Sequence, residues 1–132
     1  MAKKRTGLWV ALAILAVILI IVIWAIASYN GLATAREGVD AQHATIDAQL
    51  QRRADLIPNL IQTVKGYMAH EQAAIDSVTE ARAKLSGAAT TDERLEANSE
   101  LTAALSRLLV VVENYPDLKA NQNFIQLQDE LA

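Results

Sequence analysis

The sequence predicts an all-α protein: a single N-terminal transmembrane helix followed by an antiparallel helical bundle of three long helices and a short fourth. Three observations lead there. The stretch from Leu8 to Ala27, 20 residues, is wholly apolar. Beyond it, aliphatic residues recur at intervals of three and four, the spacing of one helix face. The 132 residues include only 5 Gly and 2 Pro, too few for the turns of an all-β sandwich or barrel. Hydrophobic residues are 52% of the chain and aromatics 5%, an aliphatic bias typical of helices. With Cys at 0, disulfides, thiolate metal sites, cysteine nucleophiles and lipoprotein anchoring are excluded together.

Residues 1–7 form a basic N-terminus, residues 8–28 the transmembrane helix and residues 29–132 the bundle. At a rise of about 1.5 Å per residue the apolar run spans about 30 Å, the thickness of the hydrocarbon core. Trp9 near one end, and Trp24 with Tyr29 near the other, suit the interfacial aromatic belts and are the expected anchor residues. Lys3, Lys4 and Arg5 precede the run, and only Arg36 follows it closely. By the positive-inside bias the N-terminus is cytoplasmic and the bundle lies across the membrane. The alternative is a cleavable signal ending at Ala25-Ile26-Ala27. The run exceeds the usual hydrophobic region of such a signal, about 7–15 residues, which favours an anchor.

From Tyr29 onward the chain has 9 basic and 15 acidic residues. A surface biased that way repels phosphates, so no nucleic-acid partner is expected. The first helix is expected to continue from the span to about Arg53, with Leu32, Val39, Ile46 and Leu50 on one face and Gly31 and Gly38 weakening it. Asp55-Leu56-Ile57-Pro58 reads as a turn, because proline is tolerated in a first helical turn and disfavoured deeper. A second helix then carries Leu60, Ile61, Val64, Tyr67, Met68, Ile75, Val78 and Leu85, and ends at Gly87, the residue a left-handed C-cap prefers.

Thr90-Thr91-Asp92-Glu93 has the pattern of a capping box and starts a third helix with Leu95, Leu101, Leu105, Leu108, Leu109 and Val112 on its stripe. Asn114-Tyr115-Pro116-Asp117 stops it. A fourth helix begins near Asn121 with Phe124, Leu127 and Leu131 on one face. So short a helix is expected to supply only part of a fourth wall, and each Leu or Ile left uncovered forfeits about 1.5–3 kcal/mol. A second copy of the chain is the expected remedy.

Chemistry is sparse. His70-Glu71-Gln72-Ala73-Ala74 begins like H-E-x-x-H but lacks the second imidazole that grips zinc, and the other histidine, His43, lies on a different helix. No phosphate-cradling loop or nucleophile elbow occurs. Glu93, Glu96 and Glu100, one turn apart in succession, read as a solvated face rather than as catalytic carboxylates or metal ligands. Arg52 and Arg53 are expected to pair with nearby acids. Catalytic residues, cofactor and metal are therefore all expected to be absent. The segment from Tyr115 to Phe124 is richer in polar groups than a mere turn needs, so it either caps and pins the last helix or contacts another chain.

These segments resemble the LemA family. The resemblance rests on Tyr29-Asn30 after the span, Arg53-x-Asp55-Leu56-Ile57-Pro58-Asn59-Leu60, Val64-Lys65-Gly66-Tyr67, His70-Glu71, Thr79-x-Ala81-Arg82, and Tyr115-Pro116-Asp117-Leu118-Lys119-Ala120-Asn121-x-x-Phe124-x-x-Leu127. It implies a bundle on one N-terminal membrane helix of a bacterial inner membrane, with no family catalytic residues or cofactor to carry over. A magnetosome-membrane member suggests work on membrane shape or organisation. Relatives continue through a long helix after the counterpart of Glu130-Leu131, so this chain is expected to be C-terminally shortened. Two roles follow as expectations. One is a homo-oligomeric scaffold at the lipid bilayer, with Leu95, Leu105, Val112, Phe124 and Leu127 as contacts. The other is an adaptor binding another membrane protein through Tyr115, Asp117, Asn121 and Phe124.

Overall fold

The computed structural model describes the backbone of residues 2–132 and the side chains of residues 7–132. Lys3, Lys4 and Arg5, on which the expected orientation rests, lie outside the described side chains. Five helices follow in order: α1 (Ala2–Lys65), α2 (Gln72–Gly87), α3 (Thr91–Val112), α4 (Pro116–Lys119) and α5 (Gln122–Leu131). No strand occurs among the described residues, and the all-α class is confirmed. The chain divides into two compact units, Met1–Gln42 and His43–Ala132.

The first unit belongs wholly to α1. Its large apolar side chains from Leu8 to Ile26 are all exposed, Trp9 and Trp24 at 71% each. α1 is the one helix among the described residues long and apolar enough to cross a membrane. The helix runs through Gly31 and Gly38 without a break. Leu32 and Val39 are exposed, so the expected stripe is covered only from Ile46 and Leu50 onward.

In the second unit, polar ties set the register. Thr91 Oγ1 donates to Asp47 Oδ2 at 3.3 Å, and Arg53 donates to Asn98 at 2.5 Å and to Thr102 at 2.9 Å. Rising numbers on α1 thus meet rising numbers on α3, and the two run parallel. The short 88–90 connection makes α2 antiparallel to α3, and so to α1. Asn123 donates to Thr63 at 3.1 Å while Glu130 lies 3.8 Å from Arg52, so α5 also descends along α1. The core between them is purely apolar. It includes Ile57, Leu60 and Val64 from α1, Ile75, Val78 and Leu85 from α2, and Leu101, Leu108 and Val112 from α3, with Leu118, Phe124, Leu127 and Leu131 closing it.

Two expectations about the helices are corrected. The first break falls not at Asp55–Pro58 but at Gly66–Glu71, so α1 continues through Pro58 and α2 is only 16 residues long. Proline in a helix interior removes the amide that would bond the carbonyl four residues earlier, here Ala54, and costs about 3 kcal/mol. That carbonyl is not left empty. Arg82 Nε, from α2, donates to Ala54 O at 2.9 Å. Burial of Ile57, Leu60 and Val64, each 3% exposed or less, rewards the continuation. At its far end α2 has no left-handed cap: no glycine has positive φ among the described residues, and Ala88 after Gly87 is extended, leading directly into the Thr90 cap.

The second correction concerns the open flank. α5 has 10 residues, yet it seals most of the wall within one chain, because the single turn of α4 seats Leu118 and returns α5 across α1. In the bundle the exposed large apolar residues are Tyr67, Leu95, Val110 and Ile125.

Arg82→Ala should destabilise the bundle by about 1–3 kcal/mol, the cost of orphaning a buried acceptor. In a Pro58→Ala background the restored amide reclaims Ala54 O, so the same Arg82→Ala change should cost much less. A double-mutant cycle by denaturant unfolding measures the difference.

Candidate functional site

The Tyr115–Phe124 segment is built chiefly as a clasp. Pro116 opens α4 at a position where its missing amide is harmless. Asn121 has two tasks: its Oδ1 accepts from Phe124 N at 3.0 Å, capping α5, and its Nδ2 donates to Tyr67 Oη at 3.0 Å. Tyr115 Oη donates weakly to Glu71 at 3.4 Å, and burial, helped by the Glu71 charge, pushes the phenol pKa up. The loop after α1 and the connection before α5 are thereby tied at one end of the bundle. Asp117 is different. It is exposed in the first turn of α4 and makes no hydrogen bond or ion pair among the described residues.

Of the residues expected as contacts, Leu105, Val112, Phe124 and Leu127 lie in the core of this chain, 8% exposed or less, and Leu95 is exposed at 43%. The seam that sequence spacing suggested is thus consumed internally, with one exception. Between α1, α3 and α5 an apolar groove of about 160 Å³ stays open, lined by Leu60, Leu105, Leu109, Phe124 and Leu131, with Arg53 and Thr102 also on its wall.

Arg53 is the site residue that sequence reasoning misassigned. Arg52 lies 3.8 Å from Glu130, as a paired surface cation should. Arg53 instead meets Asn98 and Thr102, has no carboxylate partner among the described residues, and its Nε is buried without an acceptor. Burial lowers its pKa, though a guanidinium stays charged. No local pattern distinguishes Arg52 from Arg53. A one-position difference on a helix, about 100°, is the only signal.

Two acidic residues of α3, Glu93 and Glu100, serve structure. Thr90 Oγ1 accepts from Glu93 N at 3.2 Å, while Glu93 Oε2 accepts from Ala89 N at 2.9 Å and Thr90 N at 3.2 Å. These amides hold the Glu93 pKa below the usual carboxylate range. Glu100 pairs with Lys84 at 2.8 Å. His70 is exposed in the loop and His43 exposed on α1, and no group of three or more His, Cys, Asp or Glu among the described residues is placed to hold a metal.

These features define a class of protein: an anchor-length apolar helix at the head of an apolar-cored helical bundle, with an apolar groove between α1, α3 and α5. The chain belongs to the LemA family, whose family model matches residues 42–132. The match starts beside the boundary of the second compact unit, so the shared element is the bundle. No curated protein matches the chain.

Asn121→Ala should lower bundle stability by about 0.5–2 kcal/mol through loss of the cap alone, whereas Asp117→Ala should stay within about 0.5 kcal/mol of the parent. Chemical denaturation compares them. Glu93 has a depressed folded pKa, so its contribution is present above its unfolded value near 4.3 and is lost as pH falls through the folded value. Glu93→Gln keeps both halves of the box. Thermal melts from pH 7 down to pH 3 should therefore show a smaller acid-induced loss in that variant than in the parent.

Proposed function

We propose that this chain is a non-enzymatic, single-pass protein of a bacterial inner membrane, with a cytoplasmic N-terminus and an extracytoplasmic bundle. Its role is to associate laterally with copies of itself into a scaffold that organises or shapes the bilayer. The observation that carries the reading is the apolar helix surface from Leu8 to Ile26, none of which the chain covers. Water tolerates no apolar patch of that size, and a bilayer covers it. Confinement to a plane raises the effective concentration of neighbouring copies, so contacts too small to hold a soluble dimer suffice. Family membership fits a bundle carried on such an anchor.

A second reading, an adaptor for another membrane protein, is favoured by Asp117. An exposed carboxylate without a partner sits on a segment whose neighbours Leu118 and Asn121 are fixed by burial and hydrogen bonds. A preorganised charge of that kind suits recognition of a basic partner.

Light scattering of the full chain in mild detergent separates the two. Particles of several copies at micromolar concentration support the scaffold, and a strictly monomeric profile overturns it. A pull-down whose captured protein is lost on Asp117→Ala, with the bundle still folded, supports the adaptor. His70→Ala should leave either behaviour unchanged.

A further inference from the structure

The groove and Arg53 have a counterpart elsewhere on the same chain. Ile125 on α5 is 43% exposed, and Asp129, one helical turn later, is exposed and without a partner among the described residues. One hydrogen bond and one ion pair between α5 and α1 bracket them. Asn123 meets Thr63 and Glu130 lies by Arg52, so Ile125 and Asp129 both lie along the stretch of α1 between Arg52 and Thr63. The groove walls carry Leu60 and Arg53 within that same stretch. Two bundles lying side by side with parallel axes therefore have an apolar knob with a carboxylate on one, and an apolar groove with a guanidinium that lacks a carboxylate partner on the other, along the same stretch.

We propose that the groove is the docking site for α5 of a second copy, with Ile125 of that copy seated among Leu60, Leu105, Leu109 and Phe124 and its Asp129 paired to Arg53. The proposal rests on lateral self-association and names its surface. The size fits: about 160 Å³ compares with the cavity of about 150 Å³ that accepts a benzene ring. That is room for one branched side chain and well short of the about 300–1,000 Å³ of a small-molecule pocket. The charges fit as well. Arg53 has Asn98 and Thr102 but no carboxylate as side-chain partners among the described residues, and guanidinium with carboxylate is the preferred paired geometry. Knob and groove are different patches, so the contact is heterologous. Each copy donates α5 to one neighbour and receives α5 from the other, which builds a ring or an open row rather than a closed pair.

The test uses the full chain in mild detergent, sized by light scattering, with circular dichroism and thermal melting as folding controls. Ile125→Asp and Asp129→Arg change exposed side chains and should leave melting unchanged while reducing multi-copy particles to single chains. Arg53→Glu should also reduce the particles to single chains, with a lower melting temperature from its lost bonds to Asn98 and Thr102, and Arg53→Glu combined with Asp129→Arg should restore assembly without restoring the melting temperature. Wild-type particles that persist at full size in Ile125→Asp and Asp129→Arg overturn this interface while lateral association by another surface stands. A wild-type chain that is monomeric, its groove taken by a detergent chain or reserved for a different protein, overturns both the interface and the scaffold.

Discussion

The carbonyl of Ala54 is the point on which the bundle turns. Pro58 withdraws the amide that would have served it, and in an isolated helix the chain would kink or stop there. Here Arg82 crosses from α2 and supplies the missing donor at 2.9 Å, so the defect of one helix becomes the attachment of the next. Because α1 continues, Ile57, Leu60 and Val64 enter the core in helical register, and Arg53 comes to lie against α3 beside Asn98 and Thr102. The reversal is displaced to Gly66–Glu71, where Met68 is buried as the chain turns. A cost of about 3 kcal/mol at Pro58 is thereby set against full burial of several aliphatic side chains, each worth about 1.5–3 kcal/mol.

The other end of the bundle is closed by polar economy. α5 is too short to hold itself by propensity, since isolated helices below about 12–15 residues are marginal. It persists because Asn121 caps it, Asn123 bonds Thr63, and Phe124, Leu127 and Leu131 are buried on its inner face. A helix ordered by its inner face is free to spend its outer face otherwise. On that outer face lie Ile125 and Asp129, and between its inner face and α3 lies the groove. The proposed contact thus draws on both sides of one 10-residue element, the outer face giving the knob and the inner face part of the groove.

What was legible in the sequence was local. The capping box at Thr90 and Glu93, the stop at Pro116 and the cap at Asn121 each depend on residues within a few turns, and each is found where spacing puts it. Pro58 misled because its rescue comes from Arg82, remote in sequence, and proline read alone argues for a break. The capacity of α5 to close the wall was underestimated for the same reason. Helix length was visible, but the turn at α4 that seats Leu118 was not. Arg53 and Arg52 look alike in sequence and part company only once α3 and α5 are packed against them. The groove is a tertiary product of three helices and left no trace in any one of them.

The proposed function joins the uncovered apolar helix surface from Leu8 to Ile26 to a bundle whose apolar core leaves a groove beside Arg53. In that proposal, membrane confinement is what lets so small a contact matter. The most direct measurement counts copies in the membrane itself: fluorescently labelled full chain, reconstituted at low density in supported bilayers and bleached one molecule at a time. The account predicts spots that lose fluorescence in several steps. Spots that vanish in a single step, at densities where copies meet freely, would contradict it.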